Sequence, residues 1–304
     1  MIKETSFSVT IAYHPPFDWE SLLEFLSIRA TPGVESVEAG TYTRSALVAG
    51  ASGCVTISND PARNRLRVLA DGSLNEHSGI VCERVAHLFD LVANTRAIAE
   101  CLARSRGLKN LVNQYPGLRV PGAWDPFELA VRAIVGQQVT VKAATTLMGR
   151  IAERAVSAGR VVTQIGTKGG LDGHWRLFPS PRQIIETDLS RIGAPSSRIE
   201  TVTRLAKAVA ESTVDFSTID NEALCRQLAS IKGIGRWTAG YIAMRTLRHG
   251  DSYPYGDLVL RKELSADHKL ISAAEVDRAF DAWRPWRSYA ALYLWKRASI
   301  SADS

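Results

Sequence analysis

Cysteine is scarce and scattered in this 304-residue chain. Cys54, Cys82, Cys101 and Cys225 contain no Cys-x-x-Cys pair, and none follows Cys225. The spacing argues against a cysteine-clustered zinc or iron–sulfur centre, and the four read as reduced, mostly buried thiols. Histidine is equally thin. His14, His77, His87, His174, His249 and His268 form no His-x-x-x-His or His/Cys pairing, so a catalytic transition metal is not expected. No apolar run reaches the roughly 18 residues of a membrane span, and no basic-then-apolar segment opens the chain. A cytoplasmic protein without membrane contact is the expectation. Internal repeats and low-complexity tracts are lacking as well, and nothing implies oligomerisation, which points to a monomer.

What is present is a chain long enough for two or three domains, with a formal net charge of +6. That balance suits a polyanionic partner without requiring one. Phe7–Ile11, Cys54–Ser58 and Leu66–Leu69 alternate or are β-branched and predict strands. Between the first two, Leu22, Leu23, Phe25 and Leu26 recur at helical spacing, predicting a helix over Trp19–Arg29 with Asp18 as its N-cap. Beyond Gly79 the patterns are helical through Val81–Val92, Phe127–Val156, Arg182–Leu189 and Arg198–Ala210, and onward to Arg297. The fold class is therefore α+β, an antiparallel α+β domain followed by an all-helical body. Ala158–Gly173 contains Thr-Lys-Gly-Gly but lacks the full phosphate-loop spacing, and reads as an exposed insertion.

The most restrictive segment is Leu228-Ala-Ser-Ile-Lys-Gly-Ile-Gly-Arg-Trp-Thr-Ala-Gly-Tyr-Ile-Ala-Met-Arg245. Leu224, Cys225, Leu228 and Ile231, then Trp237, Tyr241, Met244 and Leu247, each suit one helix face. Gly233 and Gly235 in the hairpin between them permit close backbone approach, and the second helix follows with its first N–H groups unpaired. Such a terminus attracts a phosphate. Gly-Ile-Gly alone equally describes a tight turn between packed helices. The fuller pattern continues through Thr238-Ala239 to Tyr-Pro-Tyr-Gly-Asp257, where an acid precedes a new helical run. An acid there is an ordinary N-cap on one reading and a catalytic carboxylate on the other.

This combination resembles the helix-hairpin-helix DNA glycosylases, and is most similar to their bacterial 3-methyladenine DNA glycosylase II (AlkA) type. Matching segments run in the same order along most of the chain. They are Pro15-Pro-Phe-Asp-Trp19 with Phe25, Pro116–Gly122 through Val139, the hairpin to Arg261, and Trp283–Tyr289 through Trp295. The resemblance implies an N-terminal α+β domain over 1–95 and a helical subdomain over 120–249 with its hairpin at about 228–236. A second helical subdomain, discontinuous over 96–119 and 250–304, would carry the catalytic Asp257. It also implies a monofunctional enzyme acting on alkylated bases in double-stranded DNA, with no iron–sulfur cluster and no cofactor.

In that family Asp257 stabilises the cationic sugar, and Trp237, Tyr241, Trp295 and Phe25 line the pocket for a flipped base. DNA contacts fall to Lys232, Gly233, Ile234, Gly235, Arg236, Thr238, Gln137 and Gln138, with a sodium or potassium ion on the carbonyls of Ile231 and Gly233. Gln138 stands where the family places a wedge in the vacated base space, and is polar where a relative is apolar. Arg245 is either a structural partner or a DNA contact, while Trp283 and Trp286 pack the C-terminal helices. Strand-cleaving relatives carry a nucleophilic lysine where this chain has Trp237. Two alternatives follow for the whole chain: a non-catalytic hairpin DNA-binding protein, or a bifunctional glycosylase/lyase for oxidised bases.

Overall fold

The computed structural model describes residues 6–157, 175–265 and 269–303. The Thr-Lys-Gly-Gly insertion lies outside them. Five strands form one antiparallel sheet: β1 (Phe7–Ala12), β2 (Glu35–Glu38), β3 (Thr41–Val48), β4 (Ala51–Asp60) and β5 (Arg65–Ala70), in the order β1-β5-β4-β3-β2. The register aligns Tyr42, Ile57 and Val68 across three neighbouring strands, and all three are buried. Helices α1 (Trp19–Ser27) and α2 (Ser78–Leu88) cover that face through Leu22, Leu26, Val81 and Val85. Asp18 caps α1 as expected, Oδ1 accepting from Ser21 N at 2.9 Å.

The remaining elements are helical among the described residues. They run α3 (Thr95–Leu102), α4 (Arg106–Gln114), α5 (Pro126–Val135), α6 (Val141–Ser157) and α7 (Pro181–Glu186), then α8 (Ser196–Ala210), α9 (Asn221–Ala229) and α10 (Arg236–Leu247). Last come α11 (Leu258–Glu263), α12 (Ala273–Asp281) and α13 (Arg287–Asp303). Caps fix several starts: Asp125 with Pro126 at α5, Asp220 at α9, and Ser/Gln and Ser/Glu capping boxes at α7 and α12. The continuous pattern over Phe127–Val156 is in fact two helices, because α5 stops at Gly136 and Gln138 takes a left-handed φ of +55°. Of the cysteines only Cys54 is buried, and the other three are half-buried at helix surfaces, against the expectation of mostly buried thiols.

Buried apolar side chains gather in three large clusters. One joins the sheet to α1 and α2, one joins α5 and α6 to α8, α9 and α10, and one joins α3 and α4 to α11, α12 and α13. Trp283 is buried in the third and Trp286 packs against it. Polar joints hold the clusters together. Arg44 on β3 pairs with Glu128 on α5 at 2.8 Å, both buried. Arg119, wholly buried, donates to the carbonyls of Asp90, His14 and Pro16. Arg248, left-handed at the end of α10, donates from Nε to His87 Nδ1 at 2.8 Å and lies 3.6 Å from Asp90.

Burial, reinforced by the Arg248 charge, holds the His87 imidazole down to about 4. An unfolded chain binds that proton near pH 6.5, so stability is complete above that value and falls as pH drops towards 4. Thermal melts across this window should lose roughly 3 kcal/mol to this group. His87→Gln, which keeps an acceptor for Arg248, should flatten the profile, and an unchanged pH dependence would contradict the assignment.

Candidate active site

The hairpin follows from its glycines. Gly233 has φ +103°, and a Cβ there would come within 2.1 Å of Thr201 Oγ1, so no other residue fits without displacing α8. Gly235 faces open space and is the N-cap of α10, with no side chain capping the helix. The first N–H groups of α10 therefore point outward beside exposed Lys232 and Arg236. Ile234 and Thr238 are placed differently from the exposed neighbours. Ile234 is 5% exposed and anchors the hairpin in the core, while buried Thr238 accepts from Gln137 Nε2 at 3.0 Å. Contact through either would have to use its backbone. The same Gln137 amide donates to the Gly233 carbonyl at 3.1 Å and ties the hairpin to the α5–α6 turn, whose exposed tip is Gln138.

Asp257 is 7% exposed and is the N-cap of α11, as the capping reading requires. Its Oδ1 accepts from Leu260 N at 3.0 Å and from Trp295 Nε1 at 3.1 Å, while Oδ2 accepts from Trp237 Nε1 at 2.8 Å. A carboxylate offers about four lone-pair directions. These three bonds leave one, on Oδ2, for a ligand.

Trp237 and Tyr241, one helical turn apart on α10, stack with ring centres 5.4 Å apart and planes 4° from parallel. Trp295 on α13 lies 6.3 Å from Tyr241. These rings, Phe25 on α1 and Asp257 line one cavity of about 550 Å³, large enough for a nucleotide. All four aromatic candidates thus line the same cavity as the carboxylate.

Arginines brace these rings: Arg29 lines the same cavity, and Arg245 bonds Tyr241. Arg245 is buried and donates to the carbonyls of Pro121 and Gly122 at 2.7 and 2.9 Å and to Tyr241 Oη at 3.0 Å. It is a structural tie, held by two carbonyls and a phenol. Burial would raise the Tyr241 phenol, but Arg245 and Arg29 outweigh it and bring it below its ordinary value. Arg29 lies over Phe25 at 3.8 Å and fixes that ring at the cavity wall. Sequence reasoning missed Arg29, which lies just past the C-cap of α1, four residues beyond Phe25.

A phosphate-ready hairpin, an aromatic cavity and one oriented carboxylate, on a helical body behind an α+β domain, define a helix-hairpin-helix DNA glycosylase. Residues 8–125 match the family model of the AlkA N-terminal domain. The chain is 32% identical to DNA-3-methyladenine glycosylase 2 of Escherichia coli K12, over 94% of this chain and 96% of the relative. It belongs to that glycosylase family. Among solved structures, the 3-methyladenine DNA glycosylase of Archaeoglobus fulgidus superposes with a TM-score of 0.81 at 22% identity, over 96% of this chain and 98% of that one. An 8-oxoguanine glycosylase/lyase of Clostridium acetobutylicum, solved with double-stranded DNA, shares the fold at a TM-score of 0.74 and 17% identity, over 99% and 98% of the two chains.

Trp295→Phe keeps an aromatic ring, though a smaller one, and deletes one hydrogen bond to Asp257. A charge-assisted bond of this kind contributes about 1.5 kcal/mol, so the turnover rate should fall roughly tenfold with little change in DNA affinity. Equal losses in rate and affinity would identify Trp295 as a wall residue only.

Proposed function

We propose that this protein is a monofunctional DNA glycosylase that hydrolyses the N-glycosidic bond of alkylated bases, of the 3-methyladenine and 7-methylguanine type, in double-stranded DNA. It would act as a monomer in the cytoplasm and start base-excision repair. The observation that carries this reading is the Asp257 carboxylate, oriented by two indole N–H groups and facing an aromatic cavity.

The damaged nucleotide is flipped out of the duplex into the cavity, because its C1′–N bond is unreachable in the stack. Trp237, Tyr241, Trp295 and Phe25 receive the base. Stacking a cationic alkylated purine on indole contributes about 0.5–2 kcal/mol and favours damaged over normal bases. As the C1′–N bond breaks, its electron pair leaves with the base and positive charge grows on the sugar. The free lone pair of Asp257 Oδ2 stabilises that charge or orients the water that attacks C1′. The products are a free base and an abasic site. A lysine nucleophile would be needed to form a Schiff base and cut the strand, and the hairpin frame carries Trp237 there.

The amides around Gly233 and Gly235 would hold a backbone phosphate, with Lys232 and Arg236 adding charge. An alkali cation suits the same corner. The Ile231 and Gly233 carbonyls are hard, neutral donors, and each keeps a lone pair after accepting from Ile234 N and Gln137 Nε2 respectively. The cation would add positive charge toward the phosphate.

The test is release of free base from methylated duplex DNA by the wild type and by Asp257→Asn. Wild type should release methylated purines and leave strands that break only after alkali. Asp257→Asn should lose at least about a hundredfold in rate while still binding DNA. Strand breaks without alkali would move the protein to the glycosylase/lyase class, and tight binding with no base release would leave a DNA-binding module.

A further inference from the structure

Asp257 is delivered by a tight turn, Pro254-Tyr255-Gly256-Asp257. Asp257 N donates to Pro254 O at 3.2 Å and Gly256 has φ +78°, as a type II turn requires at its third residue. The segment leading into this turn lies along α10. A Cβ on Gly240 would stand 3.3 Å from Tyr253 O and 3.5 Å from Pro254 Cα, so helix and loop backbones are nearly in contact there. One helical turn earlier on the same face, the Arg236 guanidinium lies 3.6 Å from the ring centre of Tyr255. Arg236 is exposed, opens α10 beside Gly233 and Gly235, and has no carboxylate partner among the described residues.

A guanidinium lying on an aromatic face keeps its N–H edge free for in-plane hydrogen bonds to an anion. Arg236 therefore meets Tyr255 with its face and is free to meet a phosphate at the hairpin with its edge. We infer that Tyr255 is a positioning residue for the proposed reaction: its ring fixes Arg236 for phosphate and couples the occupied hairpin to the turn that places Asp257. This inference rests on the glycosylase reading. Only the ring matters to it, since the cation is attracted to the π face. Tyr255 is half-buried, with its ring packed against the apolar cluster formed by α3, α4, α11, α12 and α13.

The experiment uses the full chain and three measurements. They are single-turnover release of 7-methylguanine at saturating duplex, affinity for undamaged duplex as a function of salt, and the thermal midpoint. Tyr255→Leu should slow release about tenfold, the scale expected when a reacting group is slightly misplaced, with affinity within about threefold and the midpoint nearly unchanged. Tyr255→Phe should restore the wild-type rate. Arg236→Lys, an exposed change that keeps the charge and loses the plane, should slow release similarly with the salt slope unchanged. Arg236→Gln should in addition make the slope shallower by about one phosphate.

Wild-type release rates in Tyr255→Leu or Arg236→Lys would overturn the inference, as would Tyr255→Phe proving as slow as Tyr255→Leu. A wild type that releases no methylated base would instead refute the glycosylase reading, and the salt slopes would still report whether Arg236 meets phosphate.

Discussion

The carboxylate of Asp257 joins three helices at one point. It caps α11 through Leu260 N, takes an indole N–H from Trp237 at the start of α10, and takes another from Trp295 on α13. Each donor belongs to a different element, so the orientation of the carboxylate depends on how those elements pack. The apolar cluster that seats α11 against α13 and the cluster that seats α10 against α5 must both form before the two indoles converge. A buried, fully oriented carboxylate needs no reorganisation as charge develops on a neighbouring sugar, which is the condition under which such a group is most effective.

The N-terminal domain completes the site from the other side. Phe25 reaches the cavity from α1, and α1 is fixed to the sheet by Leu22 and Leu26. The sheet is fixed in turn to α5 by the buried Arg44–Glu128 pair and to the region before α5 by Arg119. Apolar clusters alone would leave the parts free to slide, because dispersion contacts are not directional. Guanidinium groups bonded to particular carbonyls and carboxylates fix one arrangement, though a buried ion pair adds little net stability over an apolar equivalent. The same device sets Tyr241, whose hydroxyl accepts from Arg245 while that arginine grips Pro121 and Gly122. One wall of the cavity is thereby tied to the loop that leads into α5.

Much of this was legible in the sequence because it is local. Glycine at positive φ, an acid before a helical run, and aromatics at i and i+4 are short-range features, and they gave the hairpin, Asp257 and the Trp237–Tyr241 pair. Three strands read correctly from alternation. β2 and β3 did not, because Glu35, Arg44 and Ser45 interrupt the apolar pattern with groups that face buried polar partners across the domain joint. The break between α5 and α6 has one local signal, Gly136 at the end of α5, but the turn itself is hidden because Gln138 adopts its left-handed conformation without being glycine. The roles of Arg29, Arg245 and Tyr255 rest on partners in other elements or on tertiary facing, which one-dimensional spacing does not encode.

The position of Trp237 explains why the site suits hydrolysis rather than amine attack. In the hairpin frame this side chain lies 2.8 Å from Asp257 through a neutral N–H donor. A lysine in its place would bring an ammonium against the same carboxylate, and the two charges would largely neutralise each other at short range. The indole orients Asp257 through a neutral donor that brings no counter-charge, and its ring face stacks on Tyr241 to extend the aromatic wall of the cavity. One substitution in the frame thus removes the nucleophile, preserves the field that a cationic sugar would experience, and enlarges the aromatic surface. These three consequences are coupled through a single side chain, so the aromatic cavity and the hydrolytic chemistry are one design at the start of α10.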